Sequence, residues 1–248
     1  MRWPIRRDPD LVDAGATAPL DEPGTQGRLL PTGRLEAFSD GVFAIAVTLL
    51  VLELHVPGEG ANLVQSLESE WPRYLGYFVS FTFIGGVWIA HSNMTRFIKA
   101  ADARLMRLNL TLLLSVSILP FTTAIAATHL FRAYLSLDTA TAGAGLSERV
   151  AAVLFGLNLT LAALMVYLVI RHAARTPGLA AGDVAEEELQ IFARERRAAV
   201  LLQAGATIMG AFLPLTAVIF YLAVSVLSVI EPLRHIHIRR RRRAALPD

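Results

Sequence analysis

Arg34, Phe38, Ser39 and Asp40 stand within two turns of one another at the mouth of an apolar run, RLEAFSDGVFAIAVTLLVLEL over 34–54. Asp40 is followed by Gly41 and then by almost nothing but apolar residues. A carboxylate at that depth is costly unless it is paired or faces water, so it marks a candidate functional site. A second polar set, Trp88, His91, Asn93 and Asn109, falls at the ends of two later apolar runs on the same side of the membrane. Trp88 and His91 are three residues apart and share a helix face. These groups could form one network, with Arg34 pairing Asp40, His91 donating to Ser39 or Asp40, and Asn109 bridging. Equally, a lone interfacial Trp or His can serve as a simple anchor. One His and one carboxylate fall short of the three or four ligands a metal site needs, so no metal and no cofactor is expected.

Further along the first run, Ile45, Thr48 or Leu49, and Leu52 follow i, i+3/i+4, i+7 spacing and form one stripe. If copies of this helix surrounded an axis, the stripe would make stacked apolar rings, a constriction that gates by dewetting, and Thr48 would add a ring of hydroxyls. The same residues would serve as an ordinary packing face. The chain contains no GxxxxGK[ST], HExxH or GxSxG pattern, and no pair of intramembrane carboxylates suited to acid–base work or a proton relay. No enzymatic activity is expected.

The elements that must hold these residues are transmembrane helices. The chain of 248 residues is 54% hydrophobic, and its mean hydropathy is +0.49, a membrane composition. With no cysteine, disulfides, thiolate metal sites and cysteine nucleophiles are excluded. Apolar windows fall at about 35–54, 73–91, 106–128 and 150–170. The last stretch, about 198–230, is too long for one span, and Gly210 and Pro214 lie in its middle, so it reads as a tight hairpin. The fold expected is all-α: a polytopic membrane protein with six transmembrane helices per subunit. Pro120 should kink the third helix, with Thr122 and Thr123 helping to satisfy the freed backbone. Asn158 and Gln203 read as interhelical hydrogen-bonding residues. His129, at the far end of the third helix, reads as an interfacial residue or an external pH sensor.

Loop charge supports the even helix count. Arg28 and Arg34, then Arg96, Lys99, Arg104 and Arg107, then Arg171, Arg175, Arg194, Arg196 and Arg197 alternate with basic-poor loops. The positive-inside rule puts both termini in the cytoplasm. Residues 1–32 carry five prolines and no apolar core and read as a disordered cytoplasmic tail, not a signal peptide. Residues 33–233 form the transmembrane domain, and 234–248 a basic tail. The five arginines Arg239–Arg243 directly follow an apolar segment. They suit anionic lipid at the membrane surface better than nucleic acid.

Arg34-x-x-x-Phe38-Ser39-Asp40 resembles the RxxxFSD signature of the transmembrane-protein-175 family, the endosomal and lysosomal potassium channels and their bacterial relatives. GVWIAHSNM around Trp88 and His91, and LNLTLLLSVSILPF from Leu108, resemble that family's second and third helices. The resemblance covers about residues 34–130. It implies a passive potassium-permeable cation channel in a bacterial plasma membrane. The implied assembly is a homotetramer of six-helix units whose pore is formed by oligomerisation and lined by the first helix. Ile45 would then be the constriction, with Thr48, Leu49 and Leu52 toward the outer side and potassium only a transient occupant. Arg34, Phe38, Ser39, Asp40, Trp88, His91 and Asn109 would hold the first helix in place. The chain lacks the TVGYG filter, and an apolar ring offers few oxygens to replace ion hydration, so selectivity for potassium over sodium should be modest. Phe43, one turn after Ser39, is a bulky residue whose effect on pore packing is open. A secondary transporter and a non-conducting membrane scaffold are the competing readings.

Overall fold

A computed structural model of the chain describes residues 30–54, 62–131, 145–214, 216–227 and 229. The tail calls on residues 1–29 and 234–248, including Arg239–Arg243, lie outside the described residues. Among the described residues there are six helices: α1 Gly33–Val51, α2 Leu63–Thr95, α3 Ala103–Ile125, α4 Leu146–Arg175, α5 Asp183–Gly210 and α6 Thr216–Leu227. α2, α3 and α4 are each long and apolar enough to cross a membrane. The fold is therefore all-α and membrane-integral. The break after Gly210 separates α5 from α6, with Pro214 just before α6, as a hairpin requires.

α2 begins ten residues ahead of the apolar window, capped by Asn62, whose side chain accepts from Val64 N (3.1 Å) and Gln65 N (3.3 Å). Its 33 residues correspond to about 50 Å, so the first turns, carrying Glu68 and Glu70, extend past the hydrocarbon. α3 starts on Asp102, which accepts from Leu105 N at 2.7 Å. It passes through Pro120 and ends in a π-helical turn, Ala126–Phe131, on which His129 is exposed.

The threonines do not serve the carbonyl that Pro120 frees. Thr123 Oγ1 donates to Leu119 O at 2.7 Å and meets Ser80 of α2 at 2.6 Å. The adjoining turn is bonded from α4: Asn158 donates its amide to Ser115 O (2.8 Å) and accepts from Thr122 Oγ1 (2.9 Å) and Leu119 N (3.3 Å). A hydroxyl has one proton to donate, whereas an amide from a neighbouring helix supplies two donors and an acceptor together.

α4 is the central post, packed against α3 and α5. Small residues let α4, α5 and α6 approach closely. Tyr221 of α6 is fully buried and donates to Ala152 O at 2.8 Å. At Gly156 a side chain would run into Tyr221 Oη and lie 2.6 Å from Thr207 Oγ1.

One end of the bundle is tied by backbone. β1 (Leu30–Pro31) pairs antiparallel with β2 (Ala100–Ala101). Ile98 bridges Ala180, through Lys99 N to Leu179 O and Ala181 N to Phe97 O, each 2.9 Å. Thr32 Oγ1 donates to Ile98 O at 3.3 Å. The entry to α1, the α2–α3 loop and the α4–α5 loop are thus joined. Gly182, at φ +117°, lets the last of these turn into α5.

Candidate functional site

α1 has two faces. Ser39, Phe43, Ala46 and Leu50 are buried against the bundle. Ile45 is 60% exposed, Leu49 41% and Leu52 73%, and Thr48 lies on the same open side. The stripe drawn from helical spacing is therefore an unpartnered face of α1. Thr48 Oγ1 donates to Ile45 O at 2.8 Å, which leaves its oxygen lone pairs facing outward. Phe43 belongs to the other face. Its ring lies 5.5 Å from the His91 ring, centroid to centroid, so it supports the helix from behind.

The polar groups behind α1 form a chain through three helices. His91 Nε2 meets Asn109 Oδ1 at 2.9 Å, Asn109 Nδ2 donates to Ser39 Oγ at 2.9 Å, and Ser39 Oγ donates to Leu35 O at 2.7 Å. An amide oxygen only accepts, so His91 must carry its proton on Nε2. All three side chains are buried. Two further links stand beside this chain. Trp88 Nε1 donates to Asp40 Oδ1 at 2.9 Å, and Thr95 Oγ1 donates to Glu36 Oε1 at 3.0 Å.

Some expected contacts are replaced. Arg34 does not pair with Asp40: both are exposed, and Asp40 takes the Trp88 indole instead. Six residues on a helix are 600° of rotation, so the two side chains point about 120° apart. Phe38 is 59% exposed and stands outside the buried chain. With Arg34 and Met106 it lines a cleft of about 770 Å³ between α1 and α3. His91 reaches neither Ser39 nor Asp40 directly, because Asn109 comes between. Asn93 makes no side-chain bond among the described residues, and no group of three or more metal-ligating side chains is found among them. Glu36 and Thr95 were not anticipated; a glutamate in a helix first turn reads as a dipole partner alone.

A second polar link secures the tied end. Asp102 accepts from His172 Nε2 at 2.8 and 3.1 Å, while His172 Nδ1 lies 3.3 Å from Thr176 Oγ1. Burial pulls the Asp102 carboxyl upward, but the Leu105 N–H, the His172 hydrogen bond and charge, and the Arg104 N–H together outweigh it. The carboxyl is held below its ordinary value.

The helices, the buried polar chain and the open apolar stripe define a polytopic α-helical membrane protein whose first helix is fastened on one face and unpartnered on the other. The family model described as endosomal/lysosomal potassium channel TMEM175 matches residues 34–120. A crystal structure of a lysosomal potassium-selective channel TMEM175 homologue from Chamaesiphon minutus superposes with a TM-score of 0.66. It shares 30% identity and covers 81% of this chain and 97% of that one. The chain belongs to the TMEM175 family. Among curated relatives, a potassium channel of Streptomyces collinus is 46% identical over 102 residues, 40% of this chain and 49% of that protein. A potassium channel of Chamaesiphon minutus is 47% identical over 103 residues, 40% of this chain and 51% of that protein. The match thus spans about half the length of these curated relatives. The family is one of ion channels, not enzymes.

Proposed function

We propose that the chain is a passive, potassium-permeable cation channel whose pore is lined by α1 in a homotetramer of six-helix subunits. The observation that carries the reading is the division of α1. Its inner face is held by buried apolar residues and the Ser39–Asn109–His91 chain, while Ile45, Leu49 and Leu52 stand open on the other. Around a four-fold axis Ile45 forms the constriction, and the outward lone pairs of Thr48 offer oxygens to a partly dehydrated cation. With so few oxygens the preference for potassium over sodium is modest. Ser39, Asn109 and His91 set the rotation of α1; Trp88 and Asp40 set its depth. Both termini lie on the cytoplasmic side of a bacterial plasma membrane, as the loop charges favour.

Cation flux into liposomes carrying purified protein tests this. Potassium flux exceeding sodium flux, with none for choline, is expected, and Ile45→Asn, which wets the ring, should raise it. Flux unchanged by Ile45→Asn would remove Ile45 as the constriction. A well-folded tetramer silent in both forms would favour the scaffold.

A further inference from the structure

The α4–α5 pair carries a feature that the proposed conduction path does not use. α4 and α5 part at the basic end to leave a cleft of about 440 Å³ lined by Tyr167, Arg171, Arg175, Gln190, Arg194 and Arg197, with no carboxylate in its lining. Arg171 lies over the Tyr167 ring, 5.9 Å from its centroid. Arg175 sits in the last turn of α4, where the helix dipole favours a cation. Neither account reaches Arg194 and Arg197, which lie in mid-helix. Their i±3 and i±4 neighbours on α5 include no carboxylate, and neither makes an ion pair among the described residues. Four guanidiniums around one open cleft repel one another unless an anion joins them.

The membrane-ward walls of the cleft identify that anion. Leu157, Leu164 and Arg171 are seven residues apart on α4, and Arg194, Leu201 and Ile208 are seven apart on α5. Each stripe therefore runs from arginine into apolar surface. Leu157, Leu201 and Ile208 are exposed, at 53%, 66% and 67%. The arginines stand where the apolar runs of both helices end, at headgroup depth. A free phosphate would use only the arginines; an amphiphile uses the whole groove.

We propose that the α4–α5 cleft is a binding site for an anionic glycerophospholipid, its phosphate held by Arg171, Arg175, Arg194 and Arg197 and its acyl chains laid along Leu157, Leu201 and Ile208. Arginine forks match phosphate oxygens in pairs, and basic pockets between helices at the membrane surface bind such headgroups.

Native mass spectrometry of the full-length protein, with dioleoylphosphatidylglycerol, dioleoylphosphatidylcholine or sodium phosphate added, tests this without reference to conduction. Wild type should retain phosphatidylglycerol over phosphatidylcholine. Arg194→Gln/Arg197→Gln should weaken retention on the order of twentyfold, about fivefold per charge, while Arg194→Lys/Arg197→Lys keeps most of it. Arg194 and Arg197 are exposed, and circular dichroism checks that helicity is intact. Neutralising Arg239–Arg243 should leave this retention in place. Equal retention by wild type and the glutamine pair, equal retention of phosphatidylcholine, or displacement of the lipid by millimolar phosphate would each overturn the proposal, the last by assigning the cleft to a free anion.

Discussion

Trp88 Nε1 lies 2.9 Å from Asp40 Oδ1, joining α2 to the mouth of α1 by a hydrogen bond to a charged acceptor. Trp88 is 44% exposed, so water competes for the carboxylate and the bond is worth about 1 kcal/mol rather than the larger values of dry sites. Trp88→Phe should lower the unfolding temperature of the solubilised protein by a few degrees. Asp40→Asn, which keeps an acceptor, should do so less.

Asn109 carries a heavier load. Asn109→Leu leaves Ser39 and His91 buried without their shared partner, at about 1–3 kcal/mol each. The expected loss is several times that of Trp88→Phe. Ser39→Ala combined with Asn109→Leu should cost less than the sum of the two single changes, because one interaction cannot be lost twice. Strict additivity in thermal melts would show that the two side chains do not act together.

Asp102 gives the tied end an acid sensitivity. Its carboxyl is held below the ordinary 3.8 in the folded protein, so the folded state binds the proton more weakly than the unfolded state does. The stabilisation is complete above that ordinary value and is lost as the pH falls through the lower folded one. Asp102→Asn should be less stable than wild type at neutral pH, and the gap should close under acid. A gap constant across the whole pH range would remove the carboxylate from the account.

Gly156→Ala should be severely destabilising, because the new methyl meets the Tyr221 hydroxyl and Thr207 Oγ1 and overpacking of this kind costs about 1–3 kcal/mol or more. Adding Tyr221→Phe removes the obstructing oxygen and should restore part of the loss. Chemical denaturation of both variants gives the comparison.

The helices were legible because apolar runs in a membrane protein leave little choice: backbone groups in lipid must be satisfied within the segment. Gly210 and Pro214 likewise announced the α5–α6 turn. The depth of the polar network was readable too, since Ser39, His91 and Asn109 interrupt otherwise apolar runs. Their pairing was not. Which group meets which depends on the rotation of three helices, and Arg34 and Asp40, near in sequence, point apart. Phe43 likewise needed the packed bundle to show which side of α1 it takes. The two-residue ladder of Leu30–Pro31 with Ala100–Ala101 is too short to carry any periodicity. Asn158 shows the remaining gap, for a proline kink is visible in its own helix while the residue that bonds the turn beside it belongs to another.

The backbone ladder at Leu30–Pro31, with Thr32 on Ile98, fixes α1 at one extremity. In the proposed channel, a tilt of α1 would take its fulcrum near Gly33. Ile45 lies twelve residues along the arm, about 18 Å from that fulcrum, so a swing of ~10° carries it ~3 Å, enough to separate or close apolar side chains in contact. Leu52, farther out, travels farther still, while Ser39, about 9 Å from the fulcrum, moves ~1.6 Å, half as far as Ile45. On the proposed reading of Ile45 as the constriction, a small angular change at the anchored end would become a change of aperture there.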